Sequence, residues 1–230
     1  MLPANDSQKN ILDAPFFQGL DSELLRSAIA HVVTRQHPEN QSILLENDWG
    51  NSVYFILSGW VKVRTYNLEG KEVTLNILGT GEMFGEMASL DLVPRSTDVI
   101  TLTDATIASL PALDFMQLLE HEPIAGIRLS RLLARRLRQV NRRLRLREAD
   151  STSRVADVLL FLAEGQGVPS SEGIDIPTLP HRELSSLSGL ARETVTRALG
   201  KLEKQNLIRR HSERDTICIL DFNGLEALMI

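Results

Sequence analysis

Cysteine is nearly absent from these 230 residues, with Cys218 standing alone. That excludes an intrachain disulfide framework and any zinc centre or iron–sulfur cluster built from several cysteines. Long apolar runs are missing too, since none approaches the roughly 18 residues that a membrane span needs. The opening Met1-Leu2-Pro3-Ala4-Asn5-Asp6 lacks the basic and apolar regions of a secretion signal, so a cytoplasmic location with no membrane partner is expected. The histidines are dispersed at positions 31, 37, 121, 181 and 211, and no arrangement of nucleophile, base and orienting group is readable around them. An enzyme is therefore not expected, and no catalytic or metal-binding residue is nominated.

What remains is an ordinary globular composition, 43% hydrophobic and 24% charged, in a chain long enough for two domains. The net charge of −5 conceals a division along the chain. Residues 1–125 carry 7 Lys/Arg against 17 Asp/Glu, a net of −10, whereas residues 126–230 carry 18 against 13, a net of +5. Such asymmetry suits an acidic sensing or interaction half joined to one that meets a polyanion.

The hydrophobic pattern changes at the same place. After a helix around Asp21 to Ala30, short alternating segments at 52–57, 60–66, 72–78, 97–102 and 106–110 are separated by Ser58-Gly59, Glu69-Gly70, Gly79-Thr80-Gly81 and Asp104-Ala105. This predicts an antiparallel barrel or sandwich. Beyond Pro111 the period becomes helical, in a short piece at Leu113 to Leu119 and then a long segment after Pro123. Leu133, Leu137, Val140 and Leu144 are spaced four, three and four apart, the seam of a helix that pairs with its counterpart in a homodimer. Nine arginines surround the seam, with no acidic residue until Glu148. Ser151-Thr152-Ser153 is expected to cap a further helix from Arg154 to Ala163, Glu148-Ala149-Asp150 to form a hinge, and Gly165 to Gly173 to form an exposed loop. The class is α+β, divided as a strand-rich acidic domain at 1–125, a dimerisation helix and hinge at 126–150, and a basic helical domain at 151–230.

The richest stretch runs from Pro180 to Ile208. Leu184 and Leu187 give one short apolar face, Gly189 a tight turn, and Val195, Leu199 and Leu202 the face of a second helix, which together make a helix-turn-helix. Arg192, Glu193, Thr196 and Arg197 lie on the opposite side of that second helix. Arginine donates two hydrogen bonds to guanine, and a carboxylate accepts one from cytosine. Lys201 and Lys204, further along, and His181 and Arg182, at the start of the first helix, complete the set expected to face DNA. Residues 180–210 hold 7 basic and 3 acidic residues, an excess suited to phosphates. Two strands, 207–211 and 216–220, add a wing.

Over nearly its whole length the chain resembles the cyclic-AMP receptor protein and FNR family of transcription regulators, in the order β-roll, dimer helix, hinge and winged helix-turn-helix. The string Arg192-Glu-Thr-Val-Thr-Arg197 is similar to that family's recognition-helix motif. The resemblance implies that Arg192 and Arg197 read guanines and Glu193 a cytosine, in a double-stranded palindrome with TGTGA-like half-sites. Ala191 departs from the family, which often has a serine there to cap the helix and touch a phosphate. The loop Gly165–Gly173 corresponds to a surface by which the family meets RNA polymerase.

Gly85-Glu86-Met87 and Arg95-Ser96-Thr97 flank a stretch that resembles the phosphate-binding cassette of cyclic-nucleotide domains. Arg95 would supply charge and forked donors to a phosphodiester, Ser96 a neutral donor, and Glu86 an acceptor for a ribose hydroxyl. The pair by which the family's best-known member grips adenine falls on Val140-Asn141, of which only Asn141 can bond to a purine edge. Cyclic AMP is thus the first effector to consider. Another nucleotide, a cyclic dinucleotide drawn to the arginine-rich helix, or a regulatory protein on the acidic β-roll remains open, as does a nucleotide-sensing module that does not use DNA.

Overall fold

Ser22 starts helix α1 (Glu23–Ala30) by accepting a hydrogen bond from the Leu25 amide at 3.0 Å, which satisfies one of the donors that a helix start leaves free. In the computed structural model, residues 11–211, 213 and 216–229 are described. They fall into two compact units, 1–133 and 134–230.

The described residues of the first unit hold the strands β1 (Val33–His37), β2 (Ser42–Leu44), β3 (Ser52–Ser58), β4 (Val61–Tyr66), β5 (Glu72–Leu78), β6 (Met83–Phe84), β7 (Asp98–Thr101) and β8 (Ala105–Pro111). They form two antiparallel sheets, ordered β1-β8-β3-β6 and β2-β7-β4-β5. The period-2 alternation of β3 decides the layering. Ile56 and Tyr54 point between the sheets, where they meet Val61, Leu78, Val99 and Ile107. Val53 and Phe55 point the other way, into a second core with Phe16, Phe17, Phe115 and Leu118. That second core is covered by α1 and α3 (Ala112–His121) and by the start of α4 (Pro123–Arg145), where Pro123 occupies a first-turn position that needs no amide hydrogen. Each fully buried aromatic here contributes about 1.5–3 kcal/mol over its exposed state. Gly59, at φ +83°, turns the chain from β3 to β4 where a Cβ would lie 2.3 Å from the Asp104 carbonyl oxygen, so no other residue fits.

The second unit comprises the end of α4, a 3-10 turn (Leu146–Glu148), α5 (Ser151–Gln166), β9 (Val168–Pro169), β10 (Ile174–Pro177), α6 (His181–Ser188), α7 (Arg192–Lys204), β11 (Ile208–His211), β12 (Thr216–Ile219) and α8 (Phe222–Ala227). Its sheet runs β11-β12-β10-β9, all antiparallel. Helix α5 is buried along Val155 to Leu162 and carries the unit's core.

Two expectations are corrected. The cap of α5 is not supplied by Ser151, Thr152 or Ser153, which lie in its first turn. It is Asp150, whose carboxylate accepts from the amides of Thr152 at 2.7 Å and Ser153 at 3.3 Å and from the Ser153 hydroxyl at 2.8 Å. Nor is 165–173 a plain loop. The helix continues to Gln166, and Val168–Pro169 pairs with Asp175 and Ile174, making an exposed hairpin closed by Ser170 and Gly173.

Candidate effector cassette and nucleic-acid interface

Between β6 and β7 the chain turns at Gly85, left-handed at φ +79°, and enters a short helix, α2 (Glu86–Asp91). A Cβ at Gly85 would lie 2.8 Å from the Arg95 guanidinium, and one at Gly50 would lie 2.5 Å from it. Both glycines thus make room for that one side chain. Arg95 is only 3% exposed. Its Nη1 donates to the Gly85 carbonyl at 2.5 Å and its Nη2 to the Ser52 carbonyl at 2.7 Å, while its Cζ sits 5.7 Å from the Tyr54 ring. The loop around it is held by the Arg95 amide donating to Asp48 and the Asn47 amide donating to Arg95, both at 2.8 Å. Burial pushes the guanidinium down from its usual value, with Tyr54 and Glu86 acting the other way.

Two polar atoms of this cassette are buried without a partner, Arg95 Nε and the Ser89 hydroxyl. Such groups cost free energy until an acceptor or donor reaches them, and they are compatible with an anion; the fork expected of Arg95 is corrected, however, because both Nη groups are taken by the Gly85 and Ser52 carbonyls and only Nε is left to donate. Ser89 and Tyr54 were not singled out from sequence. Ser89 lies inside the cassette stretch but is chemically indistinct from any helix serine. Glu86 is buried beside Arg95, Thr97 is half-buried, and Met87 and Ser96 are exposed, so Gly85, Glu86, Met87, Arg95, Ser96 and Thr97 all lie in one loop-helix-loop element. Asn141 belongs to the second unit, exposed on α4.

On the sheet face opposite Val61 and Val63, a charge cluster pins the β4–β5 hairpin. Lys62 Nζ and Arg64 Nη1 donate to the two Glu72 oxygens at 2.7 Å each, and Arg64 Nε lies 3.4 Å from Asp98. Burial raises the Glu72 pKa, but the hydrogen bonds from Lys62 and Arg64 outweigh it and hold the carboxyl below its ordinary value.

In the second unit α6 ends at Gly189, left-handed at φ +65°, where a Cβ would lie 2.7 Å from Arg154. Arg154 clamps this turn from α5, donating to the Ser188 carbonyl through Nε at 3.0 Å and Nη2 at 2.5 Å, and to the Gly189 carbonyl at 3.1 Å. The Ser185 hydroxyl ties down the Leu190 carbonyl. These contacts fix the angle at which α7 leaves the turn. Sequence reading missed Arg154, because the carbonyls it clamps in this turn lie more than thirty residues away. On α7 one arc, Val195, Ala198, Leu199 and Leu202, is buried, and the opposite arc exposes Arg192, Glu193, Thr196, Arg197, Lys201 and Lys204. Ala191 occupies the cap position and makes no side-chain cap. Thr196 Oγ1 lies 3.0 Å from His181 Nδ1, which joins the starts of the two helices, and Arg182, exposed, bonds Glu183 at 3.0 Å. In the wing Arg210 is paired with Glu203 at 2.6 Å and Arg209 with Glu172.

The seam of α4 is divided. Leu133 is partly buried against the first unit's core, whereas Leu137, Val140 and Leu144 are 61%, 51% and 62% exposed. Several arginines of the helix are already used: Arg128 donates to the Phe16 carbonyl at 2.9 Å, Arg143 lies 4.5 Å from the Phe161 ring, and Arg142 meets Asp157 and Glu164. Burial pushes Asp157 above the usual carboxylate range, with Arg142 and Arg143 opposing it.

Comparison with known proteins covers both units. Residues 34–122 match the family model of the cyclic nucleotide-binding domain, and residues 153–228 that of the Crp-like helix-turn-helix domain. A relative named cyclic AMP receptor protein from Thermus thermophilus is 34% identical over 198 residues, covering 85% of this chain and 88% of that protein. A Mycobacterium tuberculosis protein named CRP-like cAMP-activated global transcriptional regulator is 31% identical over the same shares. The crystal structure of the Thermus thermophilus catabolite activator protein matches at 33% identity with a TM-score of 0.51, covering 94% of this chain and 98% of that one. Among the described residues no helix is long and apolar enough to cross a membrane.

Proposed function

Because the chain belongs to the CRP/FNR family of DNA-binding transcription regulators, we propose that it is a homodimer in which residues 1–125 sense a cyclic nucleotide, residues 126–150 pair the protomers, and residues 151–230 read a TGTGA-like palindrome. The observation that carries this reading is the exposed arc of α7, with Arg192, Glu193, Thr196 and Arg197 on rigid backbone behind the turn that Arg154 clamps. Arg192 and Arg197 offer forks to guanine, Glu193 accepts from cytosine, and Lys201, Lys204, His181 and Arg182 lie where phosphates pass.

For the effector, cyclic AMP is the first choice, since the relatives at 31–34% identity carry its name. The phosphodiester goes to Arg95, whose buried Nε still lacks an acceptor, and to Ser96 and the amides at the start of α2. Glu86 takes the ribose hydroxyl, Met87 and Thr97 border the nucleotide, and Asn141 offers an amide to the purine. The protomers join through Leu133, Leu137, Val140 and Leu144, of which the last three are apolar and exposed. The β9–β10 hairpin is the surface offered to RNA polymerase. A gel-shift assay on a TGTGA palindrome with and without cyclic AMP tests the reading: a shifted palindrome beside an unshifted scrambled duplex supports it, and equal behaviour of both duplexes overturns it.

A further inference from the structure

The outer flank of α4 carries a groove that neither the cassette nor the recognition helix uses. It measures about 580 Å³ and is lined by Arg135, Arg138, Arg142 and Arg145 with Gln139, Glu164 and Asn141, the last being the one residue it shares with the effector site proposed above. The spacing explains the convergence. Residues 135, 138, 142 and 145 succeed one another at three, four and three, so all four guanidiniums share one helix face, displaced from the face that holds Leu137, Val140 and Leu144. The groove thus stays open when two helices pair along that seam.

Its charges do not cancel. Glu164 is the only carboxylate lining it, and that group is spent: Oε1 accepts from Arg142 at 2.8 Å and Oε2 from Gln139 at 3.1 Å. Arg142 is further engaged by Asp157. Arg135, Arg138 and Arg145 have no hydrogen bond or ion pair with any described residue. Like charges at these intervals repel and weaken their helix, and an anion lying among them reverses the sign of the effect. Guanidiniums suit phosphate in particular, because each presents two parallel donors to two oxygens. The volume is that of a small-molecule site and exceeds what a single phosphate fills.

We propose that this groove is a second anion site, separate from the cassette, which takes a compact ligand bearing several linked phosphates. Such chains occur free or attached to a nucleoside. Titration calorimetry of the full-length protein at fixed ionic strength, with inorganic tripolyphosphate and with ATP as probes, tests it. Saturable binding of one ligand per protomer is expected. Tripolyphosphate binding as tightly as ATP shows that the phosphate chain suffices, and tighter ATP binding shows that the nucleoside adds contacts. Arg138→Ala should weaken the bound probe about tenfold or more, and Arg138→Lys, which keeps the charge and removes the fork, should lie between it and wild type. Arg147→Ala deletes an equal charge from an exposed position outside the groove and should leave affinity unchanged. If neither probe binds, or Arg138→Ala and Arg147→Ala weaken it alike, the groove is a solvated charged flank and the proposal fails.

Discussion

At the scale of single residues, the distinction that matters is between side chains whose donors are spent and those whose donors are free. Arg154 is spent on backbone carbonyls and so holds shape, whereas Arg192 and Arg197 are exposed, with one Arg197 donor on Thr194 at 3.3 Å, and the Glu193 carboxylate is an exposed acceptor. Substituting Arg192 or Arg197 by Ala should cost about 1–3 kcal/mol on the cognate palindrome and relax one base position per half-site, as read by binding to a set of substituted duplexes. Glu193→Ala should relax the choice of cytosine while slightly strengthening binding to unrelated DNA, since it removes a negative charge from beside the phosphates; unchanged base preference would show a merely solvated carboxylate. Ala191 gives a third test. Ala191→Ser restores a missing cap and should stabilise the second unit by about 0.5–2 kcal/mol in thermal unfolding. Arg95 is the opposite case from the recognition arginines. Its charge was legible as a motif, but its burial against the carbonyls of Ser52 and Gly85 was not, because Ser52 is 43 residues distant and the contact exists only once β3 and β6 are paired. Arg95→Ala should abolish cyclic-nucleotide binding in calorimetry, and retained affinity would remove Arg95 from the site.

At the scale of elements, the strands and helices α6 and α7 were readable because each buries one face and exposes the other. Val53 and Phe55 in β3, and Val195, Ala198, Leu199 and Leu202 on α7, show the two periods plainly. Ends were less readable. Three hydroxyl residues follow Asp150, any of which is a competent cap, and only the backbone geometry decides that Asp150 holds the position. The β9–β10 hairpin was hidden because Pro169, Ser170, Ser171 and Gly173 are turn-formers by composition, and two paired residues per strand leave no alternation to detect. The exposed part of the α4 seam carries its own prediction. Replacing Leu137 and Val140 together by Glu puts like charges on the seam proposed to pair the protomers, and sedimentation should then find monomers; a persistent dimer would mean that another surface pairs the protomers.

At the scale of the whole molecule, stability and function both rest on where charge has been compensated. Hydrogen bonds hold several carboxyls below their ordinary values: from Lys62 and Arg64 against the effect of burial at Glu72, from the Ser153 hydroxyl at Asp150, and from Arg210 at Glu203. A carboxyl lowered on folding contributes stability that is present above its unfolded pKa, near 4, and is lost as pH falls through its folded value. The unfolding temperature should therefore drop below about pH 4, and Glu72→Gln should flatten that drop without moving the neutral baseline upward. The acidic first half and basic second half, visible in the sequence, contain the matches to the cyclic nucleotide-binding domain and to the Crp-like helix-turn-helix domain respectively. The pairing of sensing with reading is the central claim, and fluorescence anisotropy tests it most directly: labelled TGTGA palindrome and a scrambled duplex of equal length, titrated with full-length protein at one salt concentration, with and without cyclic AMP. The account predicts a clear preference for the palindrome whose strength changes when cyclic AMP is added. Equal affinity for both duplexes, untouched by the nucleotide, would contradict it.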